Sequence, residues 1–365
     1  MPSIFRQLYR GETRIGFIHN RKRWYVASAL IALVCIVSLL TRGFNYGVEF
    51  AGGTTFQIDT THSQLSADAV NRAFTDAGTA PDSPPQVVGN GNQISLSTKH
   101  LEPAALKTLQ DAVATKLGLK SSAFTSSSIG SAWGHDTSIN ALKGLIIFLI
   151  AVTIYIALRY QWRMAAGGIG ALIFDLLTTA GIYSIIGFEV TPSTIVGLLT
   201  ILGFSLYDTV VVYDKVAENS KDILAGSRTT YSEAANLAVN QTLMRSINTS
   251  LIGLLPVAGL LFVGAGILGV GTIKDLALIL FIGLASGAYS SLFIATPIVV
   301  DLTEREPAYK ALTRRVAAKR ASDAKRNSES AEVAESGGVA TAVRTSGGPA
   351  PAPKVGARPQ RRRRR

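Results

Sequence analysis

Six apolar runs, each close to the length a helix needs to cross a bilayer, constrain this chain more than anything else in it. They extend from Tyr25 to Leu40, Gly144 to Leu158, Ala165 to Ile186, about Ser193 to Tyr213, Ile247 to Val263 and Leu276 to Val300. A hydrocarbon core takes about 20 residues of helix, and backbone inside it must satisfy its own hydrogen bonds. The runs therefore predict a membrane protein with an all-α bundle of six transmembrane helices. The second is short unless its helix begins before Lys143. With 47% hydrophobic and 16% charged residues among 365, the totals fit a multi-spanning membrane protein and exclude an ordinary soluble enzyme.

Loop charges predict the orientation. Arg159, Arg163, Lys215, Lys221, Arg228 and Arg245 share a side with the basic N-terminal segment. The Gly187-to-Pro192 and Gly264-to-Thr272 turns carry no lysine or arginine. The positive-inside rule then places both termini in the cytoplasm. A signal peptide is the alternative for the first run. That run exceeds an ordinary h-region and no small-x-small site follows it, so with Trp24 at the interface it reads as an uncleaved span. The net charge of +12 lies largely in segments flanking the runs and in the tail. Anionic lipid is the partner this predicts, and nucleic acid is not expected.

Residues 43–138 change character to a polar domain facing outward. Val48, Phe50, Phe56 and Ile58 alternate around Gly52 and Gly53, which reads as a strand broken by a bulge or a close backbone approach. Ser66 can cap a helix carrying Val70, Ala73 and Phe74, and Gly89 to Asn92 make a hairpin turn between two short strands. A second helix aligns Leu106, Leu109, Val113 and Leu117, and a Ser/Thr-rich strand closes the domain around Ala123 to Ile129. The order β-α-β-β-α-β predicts an α+β ferredoxin-like extracytoplasmic domain. The expected organisation is thus a basic cytoplasmic segment (1–24), a first helix (25–42), the outer domain (43–138), the remaining five helices (139–301) and a tail (302–365). Poor in large apolar residues and ending in Arg361 to Arg365, that tail reads as disordered and cytoplasmic, a solvated segment weakly attracted to anionic lipids, with ribosomal RNA or no specific partner as the alternatives.

Chemistry concentrates inside the spans. Asp208 lies in the last third of the fourth run, within Gly203-Phe204-Ser205-Leu206-Tyr207-Asp208, and Arg245 stands where the fifth begins. An ionisable group at membrane depth costs at least about 2.5–3.5 kcal/mol on insertion scales, so it is expected to have a partner and a role. Asp208 and Arg245 can meet at similar depth, either as a fixed pair locking two helices or as part of an ion path. Asp175, near the middle of the third run with no basic neighbour in sequence, favours a relay; Thr178 and Thr179 are its nearest hydroxyls. Glu189, Lys274 and Asp275 fall at outer helix ends, where solvation is expected.

Other signals are weaker. Gly264 to Gly269 matches a dinucleotide fingerprint, but no strand precedes it and no βαβ unit surrounds it. Gly283 and Gly287 offer a small-residue face for helix packing. Ser232 to Val239 reads as a short surface helix, a docking site or a connector. Cys35 is the only cysteine and the four histidines are dispersed, so no disulfide, metal or cofactor is expected.

Four segments together resemble the SecF family, the smaller members of the paired SecD/SecF export proteins in the RND transporter superfamily. They are Gly47 to Thr54, Arg159 to Arg163, Gly203 to Asp208 running on to Glu218-Asn219, and Asn240 to Arg245. The likeness extends to about Val300 and includes Gly52, Gly53, Gly203 and Ser205 as motif positions. It implies a non-enzymatic subunit of the bacterial inner membrane that works with SecD and the SecYEG channel, and indirectly with SecA. Such a subunit would use a proton or sodium gradient to draw preproteins outward. Carried over, Asp208 and Arg245 fall on the family's ion-path positions and Asp175 on its acidic position in helix three, which adds Asp175 to the expected ion path. Phe174, Tyr207 and Glu49 depart from its usual His, Asn and Asp. A half-transporter of small-molecule export in the same superfamily is the alternative, and a non-conducting scaffold is a third.

Overall fold

The computed structural model describes residues 15–336, apart from 62, 64, 83, 84, 89–91 and 268–270. The basic residues before Ile15, the tail after Ser336 and most of the Gly89-to-Asn92 turn therefore lie outside the described residues. The first described segment is anchored: Ile15 exchanges hydrogen bonds with Asn240, donating to Oδ1 at 2.9 Å and accepting from Nδ2 at 2.9 Å. Phe17 and Ile18 are buried beside it. Helix α1 (Arg21–Thr41) follows, its enclosed positions being Ser28, Cys35 and Ser38. Between Val26 and Leu40 most of the remaining surface is apolar and exposed, including Val26, Leu30, Leu33, Val37 and Leu40, as lipid contact requires.

After α1, strand β1 (Asn45–Tyr46) leads into a single helical turn, α2 (Val48–Ala51), and then β2 (Gly53–Asp59). The Val48-to-Ile58 segment is thus a helical turn joined to a strand, not one bulged strand. Gly52 and Gly53 make the junction, with φ of 73° and 151°. A Cβ on Gly53 would stand 2.7 Å from the carbonyl oxygen of Thr98, so the close backbone approach excludes any larger residue.

Helix α3 (Ala67–Asp76) starts where Ser66 accepts a hydrogen bond from the Ala69 amide at 3.2 Å. Strands β3 (Gln86–Val88) and β4 (Gln93–Thr98), helix α4 (Pro103–Leu117) and strand β5 (Phe124–Ile129) complete the domain. The sheet order is β3-β4-β2-β5, every neighbouring pair antiparallel. Alternate residues of β2 and β4, namely Phe56, Ile58, Ile94 and Leu96, pack with Val70, Phe74, Leu109 and Val113 from the helices. One face of the sheet is thereby covered, and Gln57 and Ser95 lie on the other.

Five further spans build the bundle. Helix α5 (Ser131–Arg159) begins well before Lys143, which gives the short second run its full length. Helix α6 (Trp162–Ile186) is followed by β6 (Glu189–Val190), which pairs in parallel with β1. Helix α7 (Pro192–Asn219) opens with a capping box between Thr191 and Thr194 and proline in its first turn. Helix α8 (Tyr231–Gly259), capped by Thr230 and Glu233, continues into a π-helical stretch, Leu260–Ile267. The short surface helix expected at Ser232 to Val239 is the first part of this continuous element. Its Asn236 and Asn240 bind the N-terminal segment.

The last span is α9 (Gly271–Ser290), a π-helical turn (Ser291–Ala295) and α10 (Thr296–Glu304). Pro297 explains the turn: it has no amide proton for the carbonyl four residues back, and its ring crowds that carbonyl. Helices α6 and α9 with α10 are the most enclosed spans, and α5 and α8 the least. Small residues permit the tightest approaches. Gly181 leaves no room for a Cβ against Cys35, nor does Gly283 against Ile201, and at Gly287 it would stand 2.9 Å from the Ser205 Cβ. Gly203 meets nothing within 4 Å, so its motif position has no packing explanation among the described residues.

The tail also departs from expectation. Helix α11 (Pro307–Ser336) begins directly after the last span. Tyr309, Leu312 and Val316 supply an apolar stripe at helical spacing, and Leu312 and Val316 are buried. Arg163 anchors the start of the helix through an ion pair with Glu306 and a guanidinium 5.6 Å from the Tyr309 ring centre.

Candidate functional site

Asp175 sits midway along α6, 1% exposed, and three hydroxyls from two other helices converge on it. Ser205 of α7 donates to Oδ2 at 2.6 Å, Ser290 of α9 to the same oxygen at 2.8 Å, and Ser286 to Oδ1 at 2.9 Å. Asp208 of α7, 4% exposed, is held in the same manner. Ser246 of α8 donates to its Oδ1 at 2.8 Å and Ser291 to its Oδ2 at 2.6 Å. Carboxylates taken out of water need their lone pairs filled, and five hydroxyl donors do that here.

The acid–base pair read from the sequence is not formed. Among the described residues no ion pair joins Asp208 to Arg245. Arg245 instead lies exposed, its guanidinium donating to the Tyr207 hydroxyl at 3.1 Å. The reason is helical phase. Successive residues point about 100° apart, so Ser246 rather than Arg245 turns inward to Asp208, while Tyr207 and Arg245 share the uncovered side. Arg245 also lies mid-helix, since α8 begins at Tyr231.

Ser290 and Ser291 are the residues that sequence reasoning missed and that matter most. Neighbours in the chain, they reach different acids from the start of the π-helical turn, a feature often found at functional sites. Each also has a backbone alternative: Gly287 O stands 3.3 Å from the Ser290 hydroxyl and Ala288 O 3.3 Å from that of Ser291. A hydroxyl can therefore donate to an ionised acid, or turn to the carbonyl and accept from a protonated one. The signal was present as Ser286, Ser290 and Ser291 inside an apolar run, where small hydroxyl residues are expected to bond across helices.

Further charges lie at the ends of the bundle. Arg21 binds Asp301 at 3.0 Å and Glu304 at 3.1 Å, and Tyr25 donates to Asp301 at 2.8 Å. At the end carrying the sheet, Glu189, Lys274 and Asp275 are partly buried rather than solvated. No group of His, Cys, Asp and Glu among the described residues could hold a metal ion.

Six apolar helices, a small α+β domain between the first two, and paired intramembrane carboxylates define a multi-spanning membrane protein with polar chemistry at its centre. Comparison with known proteins makes the class specific. Residues 109–305 match the C-terminal family model of the protein export membrane proteins SecD/SecF, and residues 37–63 match the SecD/SecF GG motif. The SecF protein translocase subunit of Streptomyces coelicolor is 45% identical over 316 residues, covering 86% of this chain and 84% of that one. That of Mycobacterium tuberculosis is 43% identical, covering 88% and 74%. The crystal structure of SecDF, a translocon-associated membrane protein from Thermus thermophilus, superposes with a TM-score of 0.71 at 29% identity, covering 81% of this chain but 39% of that longer one. The chain belongs to the SecD/SecF family of protein export membrane proteins.

Proposed function

We propose that this chain is the SecF-type half of an export motor in the bacterial inner membrane, and that it couples a proton or sodium gradient to preprotein translocation. One observation carries the reading: two buried carboxylates, Asp175 and Asp208, are held by hydroxyls, two of which are adjacent in one span. An acid whose partners can both donate and accept is suited to gaining and losing a proton.

The complementary half is a SecD-type protein. The chain covers about two fifths of the SecDF structure it resembles, and its exposed faces on α5 and α8 leave room for a neighbour. Arg245 and Tyr207 on the uncovered side of α7 and α8 form the third element of the path, facing that half. The α+β unit is read as ferredoxin-like and extracytoplasmic, which its strand order and the loop charges support, with both termini in the cytoplasm. SecYEG and the preprotein are the working partners, SecA acts indirectly, and the basic tail contacts anionic lipid.

The test is export of a secreted reporter in cells whose only copy carries Asp208→Asn, with membrane abundance checked by blot. The reading expects normal abundance and loss of gradient-dependent export. Unchanged export, with its gradient dependence intact, refutes the role of Asp208.

A further inference from the structure

Along α6, Asp175, Thr179 and Tyr183 follow one another at four-residue spacing, which places them on one face about 6 Å apart along the axis. All three are buried, at 1%, 0% and 2% exposure. At the Tyr183 end the face packs on Ile201 of α7 and Ile279 of α9. The Tyr183 hydroxyl donates to the Asp275 carbonyl at 3.1 Å.

Thr179 is anomalous. Thr153, Thr200 and Thr249 in neighbouring spans turn their hydroxyls to the carbonyl four residues back, at 2.7–2.8 Å. The Thr179 hydroxyl makes no such bond; it is enclosed and has no hydrogen-bond partner among the described residues. A buried polar atom of this kind points to a bound water, and Asp175 and Tyr183 are the polar residues one helical turn away on either side of it along the same face. The Thr178 hydroxyl is likewise unpartnered, but that residue borders α1, where Cys35 approaches its carbonyl at 3.9 Å. Only Thr179 stands in line between Asp175 and Tyr183. Thr179 and Tyr183 also border a groove lined mainly by apolar residues, among them Leu142, Leu145, Leu176 and Leu198.

Above Tyr183 the column reaches a cleft of about 490 Å³ between the sheet and the end of the bundle. Among the described residues Glu49, Glu189 and Asp275 line it with one cation, Lys274, and Thr55, Gln57 and Ser95 extend its polar wall. Burial, then the nearby Asp275 and Glu49, raise the pKa of Glu189 above the usual carboxylate value, while Lys274 opposes them. The cleft therefore gathers positive charge and holds groups able to take a proton.

We propose that this column is the entry route for protons from the sheet side of the membrane to Asp175, with Thr179 its positioning residue. The proposal rests on the relay reading and adds the path by which the relay is filled. A proton delivered at the cleft passes oxygen to oxygen through water and the Tyr183 and Thr179 hydroxyls. Each hydroxyl accepts one proton and releases one, so each ends neutral, and the Asp175 carboxylate becomes a carboxyl. The column has no ring of oxygens to replace the hydration shell of sodium, so the proton is the ion it suits.

The test uses vesicles holding the full chain with its SecD-type partner, an imposed pH gradient, and an internal pH-sensitive dye. Thr179→Val keeps the shape and removes the hydroxyl; proton uptake is expected to fall by about a hundredfold, the lower end for a positioned proton carrier. Thr179→Ser restores it. Thr178→Val, one residue round the helix toward α1, leaves uptake unchanged, and Asp175→Asn abolishes it. If Thr179→Val conducts normally while Asp175→Asn does not, the relay stands and the column is refuted as its entrance. If Thr179→Val and Thr179→Ser fail alike at normal abundance, the residue acts by packing and the proposal falls. If Asp175→Asn conducts normally, or only sodium moves, both the relay filling and the column are overturned.

Discussion

The hydroxyls around Asp175 allow the charge of that group to be read as an energy. Ser290 donates to Oδ2 at 2.8 Å in a site that is 1% exposed, so water cannot replace it. A hydrogen bond to an ionised group contributes about 1.5–3 kcal/mol. Interhelical hydrogen bonds inside a membrane average only about 0.6 kcal/mol, with a maximum near 1.7. The two ranges barely overlap, and a double-mutant cycle can tell them apart. The cycle comprises Ser290→Ala, Asp175→Asn and the double variant, each as the full chain with its partner in mixed micelles, unfolded at equilibrium. Tryptophan fluorescence from Trp24, Trp133 and Trp162 reports the transition. With Asp175 ionised, Ser290→Ala should cost about 1.5–3 kcal/mol in the native background. In the Asp175→Asn background, where only a neutral amide oxygen accepts, it should cost about 0.6 kcal/mol. A cost near 0.6 kcal/mol in both backgrounds would refute the idea that the serines hold a charge; Asp175 would then be a neutral hydrogen-bonding group.

Other expectations follow from the same geometry. Arg245→Gln should leave abundance and stability within about 0.5 kcal/mol of the native protein, because among the described residues its guanidinium bonds only the exposed Tyr207 hydroxyl, yet gradient-dependent export should stop. Normal export from that variant sinks the proposed third element of the path. Gly283→Val should lower thermal stability in micelles by about 1–3 kcal/mol through collision with Ile201, whereas Gly203→Ala should not, since nothing lies within 4 Å of it. Phe74→Ala should cost the sheet domain about 3–5 kcal/mol, because the ring is fully buried and meets Phe56 edge-on at 5.1 Å. Limited proteolysis should then cut the domain while the six spans stay protected.

What could be read ahead of the structure depended on whether the signal was local. The six spans were legible because length and apolarity are properties of one segment, and the strand and helix order of residues 43–138 because alternation and capping are too. Relations between helices were not. That Asp208 lies inside a span was legible, but which of Arg245 and Ser246 turns inward to it depends on the rotation of α8 against α7, which neither segment contains. The partners of Asp175 come from Ser205, Ser286 and Ser290, up to 115 residues away, and each looks ordinary alone. Helix α11 was missed for a different reason. Its scarcity of large apolar residues suggested disorder, yet Ala, Lys, Arg and Glu favour helix, and Tyr309, Leu312 and Val316 suffice to seat its first turns. Glu189, Lys274 and Asp275 were expected in solvent because helix ends usually lie there; the sheet lining the same cleft is what encloses them.

The π-helical turn at Ser291–Ala295 means that the last span contains one residue more than a regular helix would need to cover the same rise. That spare residue sets the phase between the two halves of the span. On one side, Ser286 and Ser290 face Asp175, and the same rod carries Lys274 and Asp275 into the cleft beside the sheet; on the other, α10 presents Asp301 to Arg21. Moving the surplus by one position, toward either end, would turn the residues it passes by about a quarter of a revolution while leaving both ends hydrogen-bonded. Ser290 and Ser291 stand where such a slip would be felt first. If either acid changes protonation, as proposed above, the change would fall beside a turn where a small local rearrangement becomes a rotation of the span.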